Sequence, residues 1–206
     1  MAFETNVFIN CPFDEEYKLL LQPIVFTIIR CGLNPKISES EDSGETRIRR
    51  IETLIEASKY SIHDLSRMRA TMKGELARFN MPFELGLDFG CKRFKGGQHA
   101  DKKSLILDIG KYRYQKAISD ISGNDIAFHN FKPENAIREV RNWLKKLNHH
   151  QKLSSANRIW IDYNEFSAYF LIIIKQHQFN KEDIRKMPWS EYFSYIFEWY
   201  EGRKQV

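Results

Sequence analysis

Strand-like and helix-like segments alternate between residues 5 and 148, and this alternation limits the possible folds more than any other feature of the chain. Short apolar runs that are typical of buried strands lie at 6–10, 33–38, 60–66, 103–109 and 125–130. The segments between them, such as 15–32 and 46–59, carry apolar residues at helical spacing. Because alternating strands and helices build parallel sheets, we predict an α/β domain of about five parallel strands with helices on both faces.

The pattern changes after residue 148, where two aromatic-rich helices are predicted around 164–179 and 188–203. We therefore divide the chain into an α/β domain, 1–148, and a C-terminal helical extension, 149–206. The second of these helices carries a dense set of aromatic residues: Tyr192, Phe193, Tyr195, Phe197, Trp199 and Tyr200. They cover too much of the helix for one buried face, and interface cores are rich in aromatic residues. We therefore expect a homo-oligomer formed through the C-terminal helices.

The charge pattern restricts the partners that we expect. The chain has 32 basic and 27 acidic residues, but the two signs are interspersed and form no long block. This balance suits a small phosphorylated molecule, and it does not favour nucleic acid. The three cysteines are far apart in the sequence, which predicts reduced thiols and a cytoplasmic location. The longest apolar run, 169–174, is too short to span a bilayer, so we expect no membrane partner.

Several common chemistries find no motif in this sequence. It has no Walker A loop and no GxGxxG after the first strand, which argues against a classical dinucleotide dehydrogenase. It also has no HExxH motif, no clustered Cys/His spacing and no GxSxG elbow. We therefore expect neither a metal site nor a bound cofactor.

Polar residues follow the predicted strands at the edge where open α/β sheets bind their ligands, beyond the carboxyl ends of the strands. The candidate residues on this edge are Asn10, Cys11, Pro12 and Phe13 after the first strand, Asp42, Ser43 and Gly44 after the second, Asp64 and Ser66 after the third, and Asp108 after the fourth. A Ser-Gly turn before a basic helix could hold a phosphate, although a solvated loop explains the same pattern. Several carboxylates are therefore predicted to gather at one edge.

Glu84 lies between Phe83 and Leu85, and Pro82 places it in the first turn of a helix predicted over 83–92. The positive end of a helix favours an ionised carboxylate, whereas apolar neighbours disfavour it. An ionised and poorly hydrated carboxylate suits the stabilisation of a developing cation. Spacing alone favours the simpler explanation that Glu84 is a helix-start acid that only complements the dipole. Asp64 is likewise either a turn aspartate or a ligand for substrate hydroxyl groups, and His63 is either a packed strand residue or a catalyst.

Three segments together resemble nucleoside deoxyribosyltransferase-like proteins: NVFINCPFDEEY at 6–17, IEASKYSIHDLS at 55–66 and NMPFELGLDFGCKRF at 80–94. The glutamate position also resembles that of the related TIR domains that cleave NAD. The resemblance covers about residues 5 to 148 and implies a flavodoxin-like sheet. No counterpart is identified for 150–206. One departure is that the transferases carry an aspartate and a Gly-Thr pair before the glutamate, where this chain has RFNMPF.

The resemblance implies a hydrolase that cleaves the N-glycosidic bond of NAD or a related nucleotide. It implies Glu84 as nucleophile or stabiliser of an oxocarbenium ion and Asp64 as the second catalytic residue, a ligand of the sugar. It makes Asn10, Cys11, Pro12 and Phe13 pocket residues, and Asn80 stands in place of the transferase aspartate. Bacterial relatives of this type often act in antiviral defence, so the resemblance implies that role as well. The alternative is a non-catalytic, TIR-like module that senses a nucleotide and oligomerises or docks a partner.

Overall fold

The computed structural model describes residues 2–39, 45–68, 79–111, 113, 118–121, 126–147 and 152–204. The strands are β1 (Asn6–Asn10), β2 (Asn34–Ile37), β3 (Tyr60–Asp64), β4 (Lys103–Asp108) and β5 (Ile126–Phe128). They form one parallel sheet in the order β2-β1-β3-β4-β5. This order is that of the flavodoxin-like fold, and it confirms the predicted α/β class.

The helices are α1 (Ala2–Thr5), α2 (Lys18–Arg30), α3 (Arg47–Glu56), α4 (Asn80–Gly90), α5 (Pro133–Leu147), α6 (Ala156–Gln176), α7 (Lys181–Lys186) and α8 (Trp189–Lys204). A π-helical turn, Cys91–Lys95, follows α4, and short 3₁₀ turns lie at Gly97–Asp101 and Ser119–Ile121. None of the helices within the described ranges is long and apolar enough to cross a membrane.

The two faces of the sheet are covered by different helices because successive side chains of a strand point to opposite faces. Val7 and Ile9 of β1 pack with α2 and α5 in the largest apolar cluster. Phe8, between them, packs instead against Ile51 and Ile55 of α3. A third cluster joins the α4 side of the sheet to the residues that follow β3. These two faces decide which polar side chains meet at the edge of the sheet.

α2 is apolar around most of its circumference because it is covered on two sides. One side packs on the sheet, and the other contacts α6 and α8. Phe26 stacks on Phe166 of α6 with ring centroids 5.5 Å apart, and it also contacts Trp199 of α8. The C-terminal helices therefore share one apolar core with the sheet, and this packing accounts for much of their aromatic content.

The helix boundaries differ from the predicted ones where side chains stabilise a turn. α2 begins at Lys18 rather than 15, because Asp14 accepts a hydrogen bond from the Tyr17 amide and holds the preceding residues in a turn. α2 ends before Gly32, whose φ of 79° is accessible to glycine without strain, as its C-terminal position predicts. α4 begins at Asn80, three residues earlier than predicted, with Pro82 still inside the first turn.

Candidate functional site

β1 and β3 end at the carboxyl edge of the sheet, near the start of α4. Asn10 ends β1, Asp64 ends β3, and the Asn10 amide nitrogen donates to the Met81 carbonyl oxygen at 2.8 Å. This bond fixes the start of α4 against the end of β1. The predicted residues Asp42, Ser43 and Gly44 lie outside the described residues, so their contribution to the edge stays a prediction.

Glu84 lies on the buried face of α4, but not in the first turn as predicted. The helix starts at Asn80, so Glu84 belongs to the second turn, and the first turn contains no acidic residue. Pro82 explains the difference, since a proline is tolerated anywhere in a first turn, where no amide hydrogen is required. Glu84 therefore cannot act as a simple N-terminal acid that caps the free N–H groups.

Few interactions offset the cost of burying the Glu84 carboxylate. Its side chain is only 6% exposed, and the nearest cation, Nη2 of Arg47, lies 3.6 Å from Oε1. No hydrogen bond to this carboxylate is found among the described residues. Burial raises the pKa of Glu84 above its ordinary value, and the charge of Arg47 opposes this rise only in part. Such a carboxylate is stabilised when a positive charge develops nearby.

A buried polar network lies on the same face of the sheet, one helical turn beyond Glu84. Asp88 accepts hydrogen bonds through Oδ2 from Ser61 Oγ at 2.6 Å, Ser104 Oγ at 2.9 Å and His63 Nε2 at 3.0 Å. Its Oδ1 lies 3.1 Å from Nζ of Lys102, which also donates to backbone carbonyls of residues 55 and 58. Burial alone would raise the pKa of Asp88, but these donors hold it well below its ordinary value.

The network fixes the orientation of Asn10. His63 donates from Nε2, so its Nδ1 is free to accept from the Asn10 amide nitrogen at 3.0 Å. Both amide hydrogens of Asn10 are then used, on His63 and on Met81. No described residue donates to the Asn10 Oδ1 atom, which leaves an oriented acceptor at the edge of the sheet.

Asp64 belongs to a separate network and is fully buried. Its Oδ2 accepts from Tyr17 Oη at 2.6 Å and from His129 Nε2 at 3.0 Å, and its Oδ1 accepts from the Ser66 amide at 2.8 Å. The Phe131 amide donates to His129 Nδ1 at 3.0 Å, which assigns the proton of the neutral imidazole to Nε2. Burial would raise the pKa of Asp64, but the hydrogen bonds from His129, Ser66 and Tyr17 lower it overall.

Glu84 and Asp64 make no direct contact with each other. His63 and Asp64 are consecutive, so their side chains leave β3 on opposite faces, and only His63 joins the α4 side. The thiol of Cys11 lies within electrostatic range of both carboxylates. Burial, then Asp64, then Glu84 raise the pKa of this thiol well above its ordinary value, so Cys11 is a neutral thiol near two acidic groups.

Two further buried acceptors at this edge have no partner among the described residues: Oγ of Ser66 and Oδ2 of Asp108. Arg113 links the two residues, since it lies 3.3 Å from Asp108 Oδ1 and donates to the Ser66 carbonyl at 3.4 Å. Burial raises the pKa of Asp108 above its ordinary value. Buried polar atoms without partners are uncommon in proteins, so these two are candidates for hydrogen bonds to water or to a ligand.

The other predicted pocket residues differ in accessibility. Pro12 is buried beside Cys11, whereas Phe13 is 40% exposed and Asn80 is exposed at the start of α4. Their proposed contacts with a ligand stay predictions.

The sequence interpretation missed Asp88, Tyr17 and His129 as parts of the site. Asp88 follows Glu84 by four positions, a spacing that would have placed both carboxylates on one helix face. Tyr17 and His129 lack any such local signal, because they reach Asp64 only when the chain has folded. Comparisons of the chain with protein-family models, with curated proteins and with solved structures found no match.

Proposed function

We propose that this protein hydrolyses the N-glycosidic bond of a nucleotide, with NAD as the substrate that fits best. The observation that carries the proposal is the state of Glu84, which is nearly buried, accepts no hydrogen bond from the described residues and has a single guanidinium at 3.6 Å as its counter-ion. The transition state of glycoside cleavage resembles an oxocarbenium ion. A poorly solvated carboxylate beside it stabilises that charge more strongly than water does.

The reaction needs little else from the protein when nicotinamide leaves. The C1′–N bond breaks with its electron pair going to the ring nitrogen, which neutralises the positive pyridinium. Water adds to C1′, and its proton goes to solvent. A purine would instead need a proton donor, and the raised pKa of the Cys11 thiol makes that group a poor acid. The donor set at this edge therefore favours nicotinamide over a purine base.

The sugar would be held by acceptors that the fold leaves open. Asn10 Oδ1, Ser66 Oγ and Asp108 Oδ2 are acceptors near the carboxyl edge that have no hydrogen-bond partner among the described residues, and ribose supplies hydroxyl donors. Asp64, predicted to bind the sugar directly, already accepts three hydrogen bonds from protein groups. We propose that its main role is to position the loop of Ser66 and to add negative charge beneath the reacting carbon.

A product assay tests this function. Purified protein is incubated with NAD, NADP, ATP and a set of deoxynucleosides, and released base is followed by chromatography. Glu84→Gln should abolish release, whereas Glu52→Gln, an equivalent change at an exposed position of α3, should leave it unchanged. Release that survives Glu84→Gln would exclude Glu84 as the catalytic carboxylate, whatever the substrate.

A second candidate function is a nucleotide-sensing module that oligomerises or docks a partner. The observation in its favour is apolar surface on the C-terminal helices, where Leu171 and Ile172 are 59% and 53% exposed and Phe197 is 45% exposed. Thermal stabilisation by NAD without any released base would support this function over hydrolysis. The role in antiviral defence that the family resemblance implies applies to either function and stays a prediction.

A further inference from the structure

We propose that a groove beside β4 and β5, away from the carboxyl edge, binds single-stranded nucleic acid. The groove has a volume of about 550 Å³. Aromatic side chains of Phe89, Phe128 and Trp143 line it together with the cations Lys92, Lys103 and Lys146. Grooves that bind single strands combine these two features, because every base offers a π-face and every nucleotide offers a phosphate.

The positive charge of the groove is not neutralised by the protein. None of Lys92, Lys103 and Lys146 forms an ion pair among the described residues. Glu139 is the one acidic side chain among the described residues that line the groove. Lys111 adds a further cation at its margin, with Nζ 5.2 Å from the centroid of the Phe128 ring.

The groove adjoins a second cavity, and this greater length favours a strand over a single nucleotide. A second cavity of about 380 Å³ shares Phe89 and Lys92 with it and adds Arg93. The open edge of β4 forms part of the floor, because β5 pairs only with residues 106–108. The backbone of 103–105 pairs with β3 on one side and has no strand partner among the described residues on the side where β5 lies.

The sequence could not reveal this arrangement. Lys92 follows α4, Lys103 begins β4, and Lys146 lies in the last turn of α5, so no like-charge block appears along the chain. Folding brings the three lysines to the lining of one groove, although α4 and α5 cover opposite faces of the sheet. The weak basic balance of the sequence thus becomes a local excess of positive charge.

Fluorescence anisotropy with a labelled oligothymidylate of about 12 nucleotides tests the proposal. Each phosphate contact to a single strand contributes roughly 0.7 to the slope of log affinity against log salt. The triple variant Lys92→Gln/Lys103→Gln/Lys146→Gln should therefore flatten the slope by about two and weaken binding about a hundredfold at 0.1 M salt. A matched variant, Lys132→Gln/Lys175→Gln/Lys181→Gln, removes the same charge from exposed positions elsewhere and should bind as the wild type does.

Further binding experiments distinguish the possible results. An abasic strand of equal charge should bind several-fold more weakly if bases stack on the aromatic walls, whereas equal binding would reduce the groove to a general polyanion site and overturn the proposal. Equal losses in the two triple variants, or binding of free mononucleotides alone, would also overturn it. Lys146→Glu, a single change at an exposed position of α5, repeats the test with minimal disturbance, and melting curves verify that each variant is folded.

Discussion

His63 donates its Nε2 hydrogen to Oδ2 of Asp88 across 3.0 Å, and both side chains are almost completely buried. The pair connects the cation of Lys102 to the amide of Asn10, so a buried charge helps to fix a polar group at the carboxyl edge of the sheet. Asp88 and Glu84 are carboxylates on one face of α4. Asp88 accepts three hydrogen bonds and pairs with Lys102, whereas Glu84 accepts no hydrogen bond from the described residues and pairs only with Arg47. This contrast separates a carboxylate that stabilises the fold from one that is available for chemistry.

Asp88→Asn should destabilise the protein by about 3–5 kcal/mol, because Lys102 then remains as a buried charge without its counter-ion. Urea unfolding measures the loss. The double variant Asp88→Asn/Lys102→Met should recover part of it, since both charges are then absent. A double variant that is less stable than Asp88→Asn alone would contradict this account of the network.

The Asp88 carboxylate also makes the stability of the protein depend on pH. Because the folded-state pKa of Asp88 is held below the unfolded value, its contribution is complete above about pH 4 and is lost as the pH falls further. The acid limb of the stability curve should therefore be shallower in Asp88→Asn than in the wild type.

Glu84→Gln should behave in the opposite way and leave stability unchanged or slightly raised at pH 7. Its pKa is raised in the folded state, so the ionised form is disfavoured by folding and a neutral amide removes that cost. The melting temperature of the variant should equal or exceed that of the wild type while base release is lost. A melting temperature several degrees lower would mean that Glu84 has structural donors, and the site would need another carboxylate.

The sequence predicted the sheet and its helices because apolar periodicity, Gly32 and Pro82 are local signals. It also placed Glu84 near the carboxyl edge, since a helix that follows a parallel strand must begin there. It could not show that Asp64 and Glu84 lie on opposite faces, because that outcome depends on which residue of β3 faces α4. Asp64 is hydrogen-bonded to Tyr17 and His129, which lie 47 and 65 residues away in the sequence. No pattern along the chain therefore connects these residues.

Arg47→Gln should move the acid limb of the base-release profile to higher pH. Glu84 must be ionised to stabilise a developing cation, and Arg47 is the cation that lowers its pKa. Without Arg47 the carboxylate protonates at a higher pH, so activity begins to fall earlier on acidification. The pH dependence of kcat/KM measures the shift.

Arg49→Gln, two residues away at an exposed position of α3, is the control for this change in net charge. Equal profiles for the two variants would show that Arg47 has no specific effect on Glu84.

Self-association through the C-terminal helices is best tested by point substitution. Removing 150–206 would expose the outer side of α2, because Ile159, Phe166 and Ile196 belong to the main apolar core. Leu171→Glu/Ile172→Glu changes only side chains that are 59% and 53% exposed, so the fold should persist while two charges enter any interface formed there. If α6 forms the interface, light scattering should show a fall from the oligomer to a mass near 24.5 kDa. Leu19→Glu, at a position that is also 59% exposed but on α2, should leave the mass unchanged. A wild-type protein that is already monomeric at high concentration would refute self-association and leave the exposed residues of α6 for a different partner.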